Sequence, residues 1–289
     1  MNPQQPITPE IRGWILAQAA LGQPEEALVQ GMLASGWSDA AARRALRVTL
    51  HGEAEPGAVA AALPGAALPS AIPVPEPVPE AGAAVLRLDD REVRLLASMR
   101  SPRILVFGGL LSDDECEQMI ELARERLARS ETVQTDTGTS EVNAARTSDG
   151  MFFERGEFAL CARIEARIAA LLRWPVENGE GLQVLRYRPG AEYKPHYDYF
   201  DPAQPGTAAL LRRGGQRVAS LICYLSTPER GGATVFPDIG FDVAPVKGNA
   251  VFFSYDRPNP QTRTLHGGAP VTAGEKWVAT KWVRERRFD

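Results

Sequence analysis

Histidine is scarce in this chain: among 289 residues there are three, His51, His196 and His266. Imidazole chemistry therefore has few candidates. Cysteine is equally scarce, and Cys116, Cys161 and Cys223 stand far apart with no Cys-x-x-Cys spacing. That excludes a thiolate zinc ribbon or a thioredoxin-like motif, and thiols at apolar positions suit a reducing compartment. An excess of basic charge is missing too. A net charge of −4 gives no positive field for nucleic acid or an anionic membrane. No apolar run approaches the ~18 residues that a spanning helix needs. The opening residues MNPQQPITPE carry neither the basic nor the apolar region of a secretory signal. The expectation is a cytoplasmic protein with no nucleic-acid and no membrane partner.

What is present falls into three compositions. Thr8-Pro9-Glu10 reads as a helix start, with Thr as N-cap and Pro in the first helical position. Ile11, Trp14, Ile15 and Ala19 follow at helical spacing, and further helical patterns cover 24–34 and the stretch after Ser38. Residues 1–50 are expected to form a small three-helix bundle, a candidate module for a protein partner. Over 51–84 the chain turns to Ala, Pro, Gly and Glu, ending in PVPEPVPEAGAA. Such a composition buries little apolar surface, so it reads as an extended linker. Residues 85–289 remain for one large domain.

In that domain Ser112-Asp-Asp-Glu115 is a capping-box signature. The helix behind it aligns Cys116, Met119, Ile120, Ala123 and Leu127. A second amphipathic pattern runs through Phe158, Cys161, Ile164, Ile168, Leu171 and Leu172 until Pro175 stops it. After Gly181 come short β-runs, from LQVLRY and KPHYDYF to RTLHGG and KWVATKWV, divided by Gly, Pro and Asn. Two helices and about eight short strands predict a mainly β fold with flanking helices. The expected form is a double-stranded β-helix, or jelly roll, with helices buttressing one sheet.

Within LQVLRYRPGAEYKPHYDYF, His196 and Asp198 alternate on a predicted strand and so share one face. Added to His266 in TLHGG, they make two imidazoles and one carboxylate. That set leaves one side of a non-haem Fe(II) open; on the residues alone, zinc is the competing ion. Lys276 begins the last predicted strand. Inside a barrel it needs an anion to offset its desolvation, which an acidic co-substrate would supply. Tyr187 is a second donor for the same group.

The segments RTSDGMFF, LQVLRYRPGAEYKPHYDYF, GGQRVASLICYLSTPERGGATVFP, VKGNAVFF and TLHGGAPVTAGEKWVATKWV closely resemble the catalytic, alpha-subunit-like domain of the prolyl 4-hydroxylase family. These are Fe(II)- and 2-oxoglutarate-dependent dioxygenases, and the resemblance spans residues 103–284. It implies that His196, Asp198 and His266 hold iron, and that Lys276 binds the distal carboxylate of 2-oxoglutarate with Tyr187 hydrogen-bonding to it. It implies O2 as the other co-substrate and ascorbate as the reductant that rescues oxidised iron. The reaction it implies is hydroxylation of an unactivated C–H, at the 4-position of a prolyl residue in a peptide or protein, releasing succinate and CO2. Arg146, Ser148, Glu180 and Arg217 fall where family members meet the peptide. Residues 135–149 read as a lid, and Tyr193, Tyr197 and Tyr199 as an aromatic wall for a proline ring. Two alternatives stand beside this reading: the same chemistry on a free amino acid or small peptide natural product, and a jelly roll that keeps its metal only to bind. The intact ligand set with Lys276 argues against the second. The chain departs from the animal collagen-modifying enzymes in having a helical bundle and Pro-rich stretch where they carry a peptide-binding domain, which leaves the substrate protein open.

Overall fold

The computed structural model describes residues 7, 9–50, 68–78, 84–130, 132–133, 140–141 and 146–289. The chain divides into two compact units, Met1–Ala67 and Leu68–Asp289. In the smaller unit lie the helices α1 (Pro9–Ala20), α2 (Glu25–Ala34) and α3 (Asp39–Leu50). Ile15, Leu28, Val29, Met32, Ala42, Ala45 and Leu46 share one apolar cluster. Trp14, inward-facing by its spacing, is instead 37% exposed. Its ring lies over Gly31, where an added Cβ would sit 3.3 Å from it, so a glycine on α2 accommodates the indole at the surface.

The larger unit is mainly β. Its principal sheet has nine antiparallel strands in the order Val85–Arg87, Glu92–Met99, Arg103–Gly108, Ala250–Ser254, Arg217–Tyr224, Lys276–Arg284, Leu182–Tyr187, Asp149–Phe153 and Ala128–Arg129. A four-stranded sheet follows the order Phe241–Val243, Thr234–Phe236, His266–Gly268 and Tyr193–His196. Successive residues of a strand point to opposite faces, and the large sheet uses both. Ile104, Val106, Phe253 and Val278 meet Phe236 and Val243 of the small sheet. Leu105, Phe107, Trp277 and Ala279 point the other way, into a cluster with residues of two helices. These are α4 (Asp113–Arg124) and α5 (Ala159–Leu172).

The predicted capping box forms. Ser112 Oγ accepts from the Glu115 amide at 3.1 Å, and the Glu115 carboxylate accepts from the Ser112 amide at 3.0 Å. Glu115 also takes the Arg167 guanidinium of α5 at 2.8 Å, tying the two helices together. Phe158 does not join the buried face of α5; it is the N-cap residue and is exposed.

The expected linker of 51–84 ends earlier in space than in composition. Leu68–Val78 lies on the larger unit. Ile72, Val74 and Val78 pack against the helix-side core, the Ile72 amide donates to the Asp256 carbonyl at 2.8 Å, and Glu76 accepts from Arg103 Nε at 3.0 Å. Prolines hold this stretch extended, so alternate aliphatics in AIPVPEPV fall on one side as they would in a strand. Residues 51–67 and 79–83, and most of the stretch 135–149 read as a lid, lie outside the described residues.

Candidate active site

The stretch from Leu182 to Phe200 is not one strand. Leu182–Tyr187 belongs to the large sheet and Tyr193–His196 to the small one, with Gly190 at φ 86 between them. Tyr187 and His196 therefore reach the same cavity from opposite sheets. Tyr193–His196 pairs antiparallel with His266–Gly268, and His266 stands directly opposite His196. Gly267 permits that approach, since a Cβ there would meet the Tyr193 carbonyl oxygen at 2.8 Å. Asp198 is not on the strand as its alternation with His196 implied. It lies in a bend just beyond the strand end, which turns its carboxylate back toward both rings.

One ligand atom from each of His196, Asp198 and His266 lies within 4.8 Å of the others. His196 Nε2 is 3.6 Å from Asp198 Oδ1, and His266 Nε2 is 3.4 Å from Oδ2, longer than an ordinary N–H···O bond. Each Nδ1 is held by the backbone, at 2.9 Å from the Lys194 carbonyl and 3.0 Å from the Thr264 carbonyl. A carbonyl only accepts, so each Nδ1 carries the proton and each Nε2 presents a lone pair to the centre. Burial pushes the His266 imidazole down to about 4, which keeps it a neutral donor. For Asp198, burial works to raise the carboxyl, but His266, His196 and Arg217 together outweigh it and hold the group far below the usual carboxylate range. Two imidazoles with Nε2 turned inward and one carboxylate, open on one side to a cavity, fit a divalent iron.

That cavity is about 430 Å³ including its mouth. Lys276 lines it from the first position of its strand, in register with Tyr187 on the neighbouring strand. The ammonium stands 5.3 Å from the Tyr187 ring and 5.8 Å from that of Tyr224. It is 3% exposed, and burial lowers it to about 8. No carboxylate among the described residues pairs with it. A buried ammonium without a counter-ion is costly, so an anion entering the cavity would offset a standing penalty.

The other expected site residues are placed unevenly. Arg146 lines the cavity, donates to Gln183 Oε1 at 2.7 Å and lies 4.8 Å over the Tyr193 ring. Tyr193 also lines it and stacks on His196 at 3.7 Å. Ser148 is buried and bonded to Ser130 Oγ at 3.0 Å. Glu180 and Arg217 are forked together at 2.7 and 2.9 Å, and Arg284 adds a bond to Glu180 at 2.6 Å. Ser148, Glu180 and Arg217 stand outside the cavity wall, as do Tyr197 and Tyr199, which stack on each other at 4.8 Å.

Three residues escaped the sequence reading. Trp282 lines the cavity beneath the Arg217 guanidinium, 4.0 Å away. Its signal was available, because 276, 278, 280 and 282 alternate onto one face and all four line the cavity. Ser220 donates to Asp198 Oδ2 at 2.5 Å, and Tyr255 meets Ser220 Oγ at 3.0 Å. A lone serine within the apolar run RVASLICYL was the only hint of the first, and nothing pointed to the second.

Residues 182–284 match the family model of the 2OG-Fe(II) oxygenase superfamily. Prolyl 4-hydroxylase 2 of Arabidopsis thaliana is 40% identical over 211 residues, covering 65% of this chain and 69% of that protein. Probable prolyl 4-hydroxylase 7 of the same plant is 38% identical over 209 residues, and this chain spans 65% of its length. Among solved structures, a viral collagen prolyl hydroxylase from Paramecium Bursaria Chlorella virus-1, in complex with 2OG, is 31% identical with a TM-score of 0.49. The match covers 63% of this chain and 95% of that one.

Proposed function

The chain belongs to the prolyl 4-hydroxylase family of Fe(II)- and 2-oxoglutarate-dependent dioxygenases, and from that premise we propose that it hydroxylates the 4-position of a prolyl residue in a peptide or protein. One observation carries the reading: a two-His, one-Asp centre and a buried ammonium with no carboxylate partner among the described residues line the same cavity. Iron held there would supply the oxidative chemistry that couples cleavage of 2-oxoglutarate by O2, to succinate and CO2, to insertion of the second oxygen atom into an unactivated C–H.

The chain's own residues bind and orient. His196, Asp198 and His266 hold the ion by Nε2, a carboxylate oxygen and Nε2. Lys276 holds the distal carboxylate of the co-substrate, with the Tyr187 hydroxyl as second donor. Leu185, Ile222 and Val278 line the same cavity and keep the anion's surroundings dry, which strengthens its hold. The peptide side is assigned to Arg146 and Tyr193 at the wall. Arg217 and Glu180 act there through the Trp282 ring, and Ser148 supports the Arg146 segment through Ser130.

The reading extends to properties with less support. Two sheets sharing an apolar cluster favour a double-stranded β-helix. Three buried free cysteines favour a reducing compartment such as the cytoplasm. Ascorbate is assigned as the reductant that restores iron after uncoupled turnover. Residues 1–50, as a three-helix bundle with Leu16 and Leu21 exposed, are assigned to recruit a protein partner. The deciding experiment incubates the protein with proline-rich peptides, Fe(II), 2-oxoglutarate and ascorbate. Mass spectrometry should show one added oxygen on proline for each succinate formed. Succinate without peptide oxidation, or oxidation of free proline alone, would remove the peptide-substrate reading.

A further inference from the structure

Asp198 is the one ligand that comes from a bend rather than a strand, yet its carboxylate must face two imidazoles at once. What holds it comes from the opposite sheet. Ser220 Oγ lies 2.5 Å from Asp198 Oδ2, and the Tyr255 hydroxyl lies 3.0 Å from Ser220 Oγ. Ser220 is 0% exposed and Tyr255 1%. Ser220 sits on Arg217–Tyr224, in the middle of the nine-stranded sheet. Tyr255 follows the adjacent strand, its amide bonded to the Val218 carbonyl at 3.0 Å. Both hydroxyls are thus carried by backbone hydrogen-bonded into the sheet.

The polarity of this chain of bonds is forced. An ionised carboxylate carries no proton and can only accept, and a serine hydroxyl has one proton to give. The Ser220 proton therefore points to Oδ2, and the Ser220 oxygen accepts from Tyr255. Each link then polarises the next, in a setting where no water competes.

We propose that Ser220 and Tyr255 are positioning residues for the Asp198 ligand, a two-donor wire that anchors its Oδ2 to the large sheet and sets the carboxylate plane against both imidazoles. The inference rests on the iron-site reading above. Hydrogen-bonded partners of a metal-bound carboxylate are typically worth ten- to a hundredfold in metal affinity. A side chain that merely filled space would leave that affinity alone when replaced by one of the same shape.

The test is titration of the full chain with Co(II), without oxygen, following its visible absorption alongside the melting temperature. Wild type should bind, and His196→Ala should not. Ser220→Ala should weaken binding by roughly ten- to a hundredfold and shift the absorption bands. Tyr255→Phe, which keeps the ring and deletes one proton, should weaken it about threefold or more. The double variant should bind no worse than Ser220→Ala, because removing the serine already cuts the wire. Effects that multiply in the double variant would overturn the proposal, as would single variants within about twofold of wild type. If Ser220→Ala does not fold, Tyr255→Phe decides at unchanged melting temperature: weaker binding supports the wire, unchanged binding rejects it. Failure of wild type itself to bind Co(II) would remove the underlying site reading and this inference together.

Discussion

His196 and His266 face each other across a single antiparallel rung, with ring centroids 4.4 Å apart. The two imidazoles of the candidate metal centre are therefore brought together by strand pairing, and Gly267 controls how closely the strands come. A Cβ at Gly267 would press on the Tyr193 carbonyl at 2.8 Å, whereas one at Gly268 would meet its nearest neighbour at 3.7 Å. Gly267→Ala should cost about 1–3 kcal/mol by overcrowding and weaken metal binding. Gly268→Ala should leave thermal stability nearly unchanged. Melting curves and metal titrations of the two variants, side by side, check both halves.

Lys276 links the site to pH. Burial lowers its ammonium from the ordinary 10.5 to about 8, and only the charged form attracts a dicarboxylate. The KM for 2-oxoglutarate should be flat below that value and climb above it, while the KM for peptide stays level. Stability of the ligand-free protein should move the other way. The folded group sheds its proton first, so the cost of the buried charge is full below pH 8 and fades as pH rises toward 10.5. Lys276→Met should abolish that rise. Lys276→Ala should raise the 2-oxoglutarate requirement about ten- to a hundredfold, as expected for a charge-assisted bond worth ~1.5–3 kcal/mol. An unchanged requirement would mean that another cation anchors the carboxylate.

Glu180 is held by Arg217 and Arg284 at once. Burial raises its carboxyl, but the two guanidiniums more than reverse this. Its contribution to stability is therefore present at neutral pH and is lost on acidification through the lowered value. Glu180→Gln would leave two buried arginines short of their counter-charge, at a cost of roughly 3–5 kcal/mol. Urea unfolding should show that loss. A higher peptide KM with unchanged stability would instead make Glu180 a direct peptide contact.

The mainly β character was legible from strand periodicity, and the scarcity of histidine narrowed the candidate ligands to a few, but it was the resemblance to a family that joined His196, Asp198 and His266 into one set. Lys276 at a strand start reads by itself as an exposed lysine, and only the resemblance marked it as an anchor. Other features depended on tertiary placement that no local pattern encodes. Asp198 joins its imidazoles through a bend, not through strand alternation. Tyr187 and His196 lie nine positions apart in the chain but on different sheets, and no local pattern shows that the cavity lies between the two layers. Ser220 looks like a routine strand residue until Asp198 is brought over it. Glu180 and Arg217 have the chemistry of peptide contacts, yet each is already engaged by the other.

The Pro-rich stretch gives the last expected outcome. Its composition speaks for a tether throughout, but Ile72, Val74 and Val78 pack on the helix-side core and Glu76 pairs with Arg103. Half-burying three aliphatic side chains is worth roughly 2–4 kcal/mol, beyond the single ion pair. A protein starting at Leu68 should therefore melt close to the full-length chain, because the division into compact units falls just before it. One starting at Val85 should melt several degrees lower, with the core beneath Ile72 and Val74 opened to water. Equal melting of the two shortened proteins would show that the stretch adds nothing to the fold and is a tether along its whole length.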